Sequence, residues 1–365
     1  MTAPAGLVEA TRGYEQWMAR QIPVVRPDLI KKHRVMAESA FVFLRGTFYR
    51  WIQLWPTICR SLRDAPVVAG VGDLHVENFG TWRDLEGRLV WGINDVDEAC
   101  VVPYTQDLVR LATSAVLATR HGAFGLTHRE TCETILEGYR QSLERGGSPF
   151  VLAERRRWLR QIALNKLRDP TRFWGKFDGL PPAATPVPRG LLRSALPDPR
   201  LSYRIFRRVA GVGSLGRPRI VALALWHGAL TAREAKAILP SAAVWATGRR
   251  SVAVSGRTLL ARAVRAPDPY LTFHQRWIVR RLSPDCSRIE LADLPKVRDE
   301  TRLLSAMGAE VANLHLGQRP SGVRADLKAR PRRWLERAAA DMADAVEADW
   351  RQWVRHVKRQ RSSRL

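Results

Sequence analysis

The stretch 71–99, VGDLHVENFGTWRDLEGRLVWGINDVDEA, places the strongest constraint on the fold, because two apolar runs in this region are each followed by a polar run. The run VVAGV ends at Val71 and the run RLVWGI ends at Ile93. Short apolar runs bounded by polar and turn-forming residues are typical of strands, so the pattern predicts strand, polar loop, strand, polar loop. Functional side chains often lie on loops that a rigid scaffold holds in place. We therefore expect the acidic residues of this stretch at strand ends.

The spacing of the polar side chains indicates a chemistry. Asp73 and Asn78 are five positions apart, and Asp95 opens the second polar loop. In the protein-kinase catalytic loop a catalytic Asp has the same offset to a metal-binding Asn, and a second metal-binding Asp comes later in the chain. Magnesium takes a few hard oxygen ligands and keeps several waters. The spacing predicts Asp73 as the catalytic residue, with Asn78, Asp95 and Asp97 at the metal.

His75 lies between these residues and is predicted to orient the loop at the catalytic centre. A structural interpretation stays open for the whole set. Asp, His and Asn in loops also cap helices and form Asx turns without binding any ligand.

The segments GDLHVENFG and INDVDEA resemble the bacterial family catalogued as domain of unknown function 2252. They also resemble the GDxHxxN and I-D-x-D/E segments of aminoglycoside phosphotransferases and choline kinases. Further segments resemble the first family across most of residues 30–320: MAESAFVFLRG at 36–46, QDLVRLATSAVLATR at 106–120, RRVAGVGSLGRPR at 207–219 and ANLH at 312–315. The resemblance implies an α+β, kinase-like fold of two lobes. It also implies a phosphotransferase that uses ATP and Mg²⁺ on a hydroxyl-bearing small molecule or protein.

Two further residues are predicted to support the site. In the phosphotransferases a similar Asp-Leu-Ala segment supports the catalytic loop, and the resemblance implies that role for Asp107, in a helix that runs to Arg120. Arg45 lies among apolar residues in FVFLRG. Its stem could be buried while the guanidinium reaches the surface, or the guanidinium could reach phosphate near the Asp loops.

A glycine pattern follows in the second half of the chain. Gly211, Gly213 and Gly216 form GxGxxG, with Ser214 inside it. A dinucleotide site would need a helix directly after the glycines, but RPRIVALAL looks like a strand. A kinase-type hairpin over nucleotide phosphates therefore fits better, and a plain β-hairpin with turn glycines stays open.

A kinase-like site also needs a lysine soon after the glycine loop. LTAREAKAILPSA (230–242) offers Arg233 and Lys236, which we expect on one face of a helix. The wider family that the chain resembles places Lys-Glu-Ala where this chain has Arg233-Glu234-Ala235. Either Arg233 takes the phosphate-binding role or Lys236 does, and we favour Lys236. The structural interpretation is that Arg233 and Lys236 are two solvated charges on a helix and bind no ligand.

The order of the motifs differs from that of a kinase, because the Asp loops at 73–97 precede the glycines at 211–216. We therefore predict a circular permutation, which a fold tolerates when its old termini are close and the cut lies in an exposed loop. Residues 1–200 would form a mostly helical lobe with the catalytic and metal loops. Residues 201–296 would form a small antiparallel β lobe, and residues 297–365 would be helices that pack back on the large lobe.

The composition leaves rival functions open. A net charge of +25 attracts polyanions, although solvated arginine-rich faces give the same composition. No zinc-finger or RNP-like pattern is present, so nucleic acid is suggested only by the charge. The main alternative to the enzyme is a non-catalytic nucleotide- or polyanion-binding protein on the same fold. A third possibility is metal-assisted hydrolysis without nucleotide.

The expected location is the cytoplasm. No apolar run approaches the roughly 18 residues that a membrane span needs, and the first residues lack the pattern of a secretory signal. The cysteines are far apart and show no CxxC pairing, which favours reduced thiols over structural zinc: Cys59, Cys100, Cys132 and Cys286.

Overall fold

The computed structural model describes residues 6–152, 156–164, 169–183, 187–284, 286, 299–317 and 322–362. Within these ranges the helices are α1 (Leu7–Gln21), α2 (Arg26–Val35), α3 (Ala40–Gly46), α4 (Phe48–Ile58), α5 (Tyr104–Arg120), α6 (His128–Arg145), α7 (Arg157–Leu164), α8 (Pro170–Trp174), α9 (Arg189–Ala195), α10 (Ala242–Thr247), α11 (Gly256–Arg262), α12 (Glu300–Leu316), α13 (Val323–Ala329) and α14 (Trp334–Ser362). The strands are β1 (Val67–Gly70), β2 (Phe79–Arg83), β3 (Leu89–Ile93), β4 (Cys100–Pro103), β5 (Tyr203–Arg207), β6 (Arg219–Trp226), β7 (Ala229–Ala237), β8 (Thr272–Phe273) and β9 (Trp277–Leu282). Helices and antiparallel sheets are mixed, which confirms the α+β class.

Helix α5 forms the centre of the core. Its residues from Tyr104 to Ala118 are all buried, as expected of a helix that is enclosed on every side. It packs against α6, α12 and α14. Helices α6 and α12 can approach each other closely because Gly138 and Gly308 have no side chain. A Cβ at either position would overlap the facing backbone. No helix in the described ranges is both long enough and apolar enough to span a bilayer.

Two short antiparallel ribbons carry the polar loops. β1 pairs with β4, and β2 pairs with β3. Asp73 follows β1 and Asp95 follows β3. The predicted order of strand, polar loop, strand, polar loop is therefore confirmed.

A separate five-stranded antiparallel sheet has the order β5-β6-β7-β9-β8. The glycine-containing turn (210–216) joins β5 to β6, which confirms the predicted hairpin. Leu192 of α9 packs on one face of this sheet. Phe173 and Phe177 pack on part of the other face. The predicted boundary between 296 and 297 lies outside the described residues.

The prediction of a helix that carries both Arg233 and Lys236 is wrong, because these residues belong to strand β7. Alanine, glutamate and lysine favour helices intrinsically, but pairing with β6 on one side and β9 on the other overrides that preference here. Side chains alternate between the faces of a strand, so residues three apart point in opposite directions. Arg233 and Lys236 therefore lie on opposite faces of the sheet.

Candidate active site

One cleft lies between the glycine-containing turn (210–216) and the two polar loops. Most of the predicted site residues line it: Arg45, Asp73, His75, Asn78, Asp95, Asp97, Gly211, Gly213, Ser214 and Lys236. Gly216, Asp107 and Arg233 do not line it. The cavity within the cleft has a volume of about 40 Å³.

Asp73 pairs with a buried arginine that the sequence analysis did not single out. Oδ1 of Asp73 accepts a hydrogen bond from Nη2 of Arg110, which lies on α5 and is fully buried. The same nitrogen donates to the carbonyl of Leu44 (2.9 Å), and the guanidinium lies 5.0 Å and 4.9 Å from the ring centroids of Phe48 and Trp51. Burial raises the pKa of Asp73, although Arg110 opposes that shift. The one available signal was an arginine flanked by the apolar residues Leu108, Val109 and Leu111.

Asn78 joins the two polar loops. Its Nδ2 donates to the carbonyl oxygens of Asp73 (3.2 Å) and Asp95 (2.9 Å). Its Oδ1 accepts from the backbone N–H of Asp95 (3.1 Å). An amide oxygen has a second lone pair. The amide thus fixes the spacing of the loops, and its role as a magnesium ligand stays a prediction.

Lys236 lies between the two carboxylates of the second loop. Its Nζ is 3.2 Å and 3.3 Å from the carboxylate oxygens of Asp95, and it pairs with Asp97. The side chain of Asp95 is 26% exposed, whereas that of Asp97 is 7% exposed. Burial, and then the negative charge of Asp95, raise the pKa of Asp97. One ammonium thus neutralises part of a closely spaced acidic pair.

This donor set fits magnesium. Mg²⁺ is usually bound through one or two carboxylates and completes its shell with waters and substrate phosphates. Asp95 and Asp97 supply the two carboxylates. In the described part of the chain, no group of three His, Cys, Asp or Glu side chains is arranged to hold a metal. The remaining ligands would therefore come from phosphate and water.

Arg217 and Glu98 anchor the glycine-containing turn to the second loop, and neither residue was predicted. Nη2 of Arg217 donates to Oε1 of Glu98 (2.6 Å) and to the hydroxyl of Tyr14 (3.2 Å). Oε2 of Glu98 accepts from the backbone of Ala242 (2.6 Å). Burial opposes the charge of Arg217, but Tyr14 and Glu98 outweigh it and raise its pKa. These partners are distant in sequence, so no local pattern identified them.

The glycine-containing turn packs directly on the first polar loop. A Cβ at Gly213 would lie 3.0 Å from the carbonyl oxygen of Arg45 and 3.3 Å from Oδ2 of Asp73. Gly216 has φ +95°, and a side chain there would collide with Leu29 of α2. The turn can lie this close only because both positions lack a side chain.

Asp107 lies beneath the first polar loop. Its carboxylate accepts from the backbone N–H groups of Val71 (2.7 Å) and Gly72 (3.1 Å). Nε2 of His315, at the end of α12, is 3.3 Å from Asp107, and its Nδ1 is 2.9 Å from the hydroxyl of Tyr139. The buried carboxylate thereby fixes the backbone directly before Asp73. This position agrees with the supporting role predicted for Asp107, in which the side chain holds the loop and does not contact a ligand.

Arg45 and Arg233 have other partners. Arg45 pairs with Glu77 of the first polar loop, and its side chain is only 13% exposed, so it does not reach the surface in the way a snorkelling arginine would. Nε of Arg233 donates to the carbonyl of Ala195 (2.6 Å), and its guanidinium lies 5.0 Å from the ring of Tyr270. Arg233 therefore lies outside the cleft.

Lys32 of α2 is a buried lysine, 4% exposed, close enough to the cleft to interact with the charges of Asp73 and Glu98. Burial lowers its pKa to about 8, although Glu15 opposes the shift. The unfolded chain would keep a pKa near 10.5, so the folded state is penalised wherever the lysine is charged. That penalty is complete below pH 8 and disappears as the pH rises through 10.5.

We expect Lys32→Met to increase the free energy of unfolding at pH 7 by about 3 kcal/mol, since 2.5 pKa units correspond to that amount. The gain should shrink between pH 8 and pH 10. Urea unfolding at several pH values measures it, with the exposed neighbour Lys31→Met as control. A gain that does not depend on pH would show that burial of the charge is not its source.

The comparisons with known proteins concern the first half of the chain. A family model described as "Uncharacterized protein conserved in bacteria (DUF2252)" matches residues 26–170. The comparison with curated proteins gave no match, and neither did the comparison with solved structures. The matched range contains Asp73, Asp95 and Arg110 and ends before the glycine-containing turn. The segment that carries both polar loops is therefore similar to a bacterial family of uncharacterised proteins.

Proposed function

We propose that this protein is a phosphotransferase that uses ATP and Mg²⁺, built on a kinase-like two-lobe fold in circularly permuted order. The observation that carries the proposal is the position of Lys236. It lies on the third strand of the sheet, after the glycine-containing turn, and reaches both Asp95 and Asp97. In protein kinases a glycine-rich loop covers the phosphates, the lysine is on the third strand, and an aspartate holds magnesium.

The cleft residues then have distinct roles. Asp95 and Asp97 would hold Mg²⁺, which supplies positive charge to the phosphates. Asp73 orients or deprotonates the acceptor hydroxyl, and His75 holds the loop. In phosphoryl transfer, catalysis rests mainly on positioning and charge stabilisation. The raised pKa of Asp73 predicts that activity is lost on acidification at a pH above the ordinary range of an aspartate.

The position of α12 supports the permuted order. In the phosphotransferases a helix that ends in Leu-x-x-Leu-His immediately precedes the catalytic loop. Here the last turns of α12 read Val311-Ala-Asn-Leu-His315, with valine in place of the first leucine, and His315 contacts Asp107, which holds the backbone of Val71 and Gly72. The two ends that the permutation would separate in sequence are thus neighbours in space.

Nucleotide binding requires the cleft to open. Ligand pockets usually have volumes of roughly 300–1,000 Å³, far more than the 40 Å³ between these side chains. We expect the nucleotide phosphates to draw Lys236 away from Asp95 and Asp97 while Mg²⁺ takes its place there. The turn at 210–216 would lift from Asp73 in the same step.

The second candidate is a non-catalytic nucleotide- or polyanion-binding protein. Two observations favour it: the small cavity and the pairing of Lys236 with both carboxylates. Release of ADP from ATP in the presence of Mg²⁺ and a panel of hydroxyl-bearing acceptors tests the enzyme directly. Thermal stabilisation by ATP that needs Mg²⁺ supports the proposed site. Salt-sensitive stabilisation by any polyanion, without ADP release, supports the second candidate.

We expect Gly213→Ala to raise the KM for ATP by roughly tenfold, because the methyl group would press on the carbonyl of Arg45 and on Asp73. The neighbouring atoms would have to move by a few tenths of an ångström, and phosphoryl transfer is sensitive to small displacements of the groups that position the phosphates. Steady-state kinetics measure the change. Gly190→Ala, at a position with open space around it, is the control and should behave as the wild type. An unchanged KM in Gly213→Ala would argue against phosphate binding below this turn.

A further inference from the structure

Three arginines surround one buried glutamate on the sheet. Glu234 is fully buried, and its Oε1 accepts from Nη1 of Arg219 (2.9 Å) and Nε of Arg280 (3.0 Å). Nη1 of Arg208 donates to the other oxygen. The arginines come from β6, from β9 and from the residue that follows β5. We call these three residues the arginine cluster.

The arginine cluster lies on the sheet face that continues the cleft. Glu234 and Lys236 are two apart on β7, so both side chains point to the same face. Glu234 is directly opposite Arg280, and Lys236 is directly opposite Arg219. Nη2 of Arg219 also donates to Oγ of Ser214 (2.7 Å), which lines the cleft. The cluster is therefore an extension of the cleft beyond Lys236.

The cluster carries more positive charge than its partner can neutralise. Three guanidinium groups hydrogen-bond to one carboxylate; the charges of Asp95 and Asp97 also act on Arg280, but Lys236 already pairs with both of these aspartates. An anion bound at the cluster would therefore compensate its excess positive charge. The side chains of Arg208 and Arg280 are 29% and 22% exposed. Each of these two arginines donates a hydrogen bond to Glu234 through one guanidinium nitrogen. Among the described residues, their other guanidinium nitrogens have no hydrogen-bond partner. Donors are thus available on the open side of the cluster.

We propose that Arg208, Arg219 and Arg280 form, with Lys236, a binding surface for a polyphosphate chain. This proposal rests on the proposed function, because it uses the same cleft. Guanidinium groups bind phosphate oxygens through paired, charge-assisted hydrogen bonds. Several phosphates in a row match several cations in a row, whereas a single phosphate would leave most of them without a counter-charge. Glu234 holds the three guanidinium groups together in the free protein.

The chain could belong to a nucleoside triphosphate or to inorganic tripolyphosphate. Calorimetric titration of the full-length protein with ATP, tripolyphosphate and inorganic phosphate, each with Mg²⁺, separates these sources. Arg208→Ala and Arg280→Ala should each weaken the binding of at least one chain by about tenfold, with little effect on inorganic phosphate. Loss confined to ATP identifies a nucleotide, and loss confined to tripolyphosphate identifies an inorganic chain.

Arg281→Ala is the matched control. Arg281 follows Arg280 in β9 but lies on the opposite face, where its guanidinium is 4.2 Å from the ring of Tyr270. The Kd values of Arg281→Ala for ATP and for tripolyphosphate should stay within about twofold of those of wild type. The proposal is overturned if the cluster variants bind both chains as tightly as wild type, if Arg281→Ala weakens binding equally, or if wild type binds neither chain.

Two further measurements keep the result decisive. Thermal melts show whether each variant is folded, and Arg280→Lys, which keeps the charge but loses the paired donors, replaces Arg280→Ala if that variant unfolds. Chain binding through the cluster in a protein that never turns over ATP would end the proposed function and leave this inference standing. ATP turnover with an unchanged KM for ATP in both cluster variants would overturn this inference and leave the proposed function standing.

Discussion

Asp73→Asn is expected to lower phosphoryl transfer by about 10²- to 10⁴-fold, the range for loss of a general base. The same substitution should also destabilise the protein, because Arg110 is fully buried and Asp73 is its ion-pair partner. Removal of one partner from a buried pair costs about 3–5 kcal/mol. The structure therefore indicates that a neutral residue at position 73 lowers stability as well as activity. A loss of activity in the single variant therefore has two explanations.

The double variant Asp73→Asn/Arg110→Met separates them. Most of the cost of the single variant comes from the uncompensated buried charge of Arg110, so the double variant, which removes that charge, should regain part of the lost free energy of unfolding. Its catalytic rate should stay as low as that of Asp73→Asn. Urea unfolding and ADP release measure the two quantities, with the exposed Asp64→Asn as control. Recovery of turnover together with stability would show that Asp73 acts only in folding.

Lys236→Met is expected to raise the Kd for ATP in the presence of Mg²⁺ by about 10- to 100-fold, because a charge-assisted contact to phosphate contributes about 1.5–3 kcal/mol. Arg233→Met, on the same strand but the opposite face, should change that Kd by no more than about twofold. Calorimetry measures both. If Arg233→Met raised the Kd for ATP more than Lys236→Met did, the phosphate contact would belong to Arg233. That result would contradict the geometry of β7.

The stability of Lys236→Met should depend on magnesium. Without the ammonium, Asp95 and Asp97 face each other with less compensation, and the pKa of Asp97 is already raised by burial and by Asp95. Two like charges in a buried site repel strongly. Mg²⁺ should therefore raise the Tm of this variant more than it raises the Tm of wild type. Equal Tm shifts in the two proteins would mean that no ion binds between these carboxylates.

The elements around the two polar loops could be predicted because their signals are local. The apolar runs before Asp73 and Asp95 and the periodicity of α5 depend on neighbours in sequence. Strand β7 could not be predicted from its own residues, since AREAKA favours a helix and only pairing with β6 and β9 makes it a strand. The face that Lys236 occupies follows from that pairing.

The charged partners of the site were harder to predict. Arg110 pairs with Asp73, and Arg217 pairs with Glu98, across long stretches of chain. A buried arginine in an apolar helix indicates that it has a partner but not which one. The arginine cluster and Glu234 need four strands in register (β5, β6, β7 and β9), so the cluster exists only once the sheet has formed.

The most direct test of the central claim is a crystal structure with a non-hydrolysable ATP analogue and Mn²⁺, located by its anomalous scattering. The account predicts an ion about 2.1 Å from carboxylate oxygens of Asp95 or Asp97, with phosphates between Lys236 and the turn at 210–216. Lys236 should have moved from the carboxylates to the phosphates. An ion bound elsewhere, or a nucleotide outside this cleft while Lys236 still pairs with both aspartates, would contradict it.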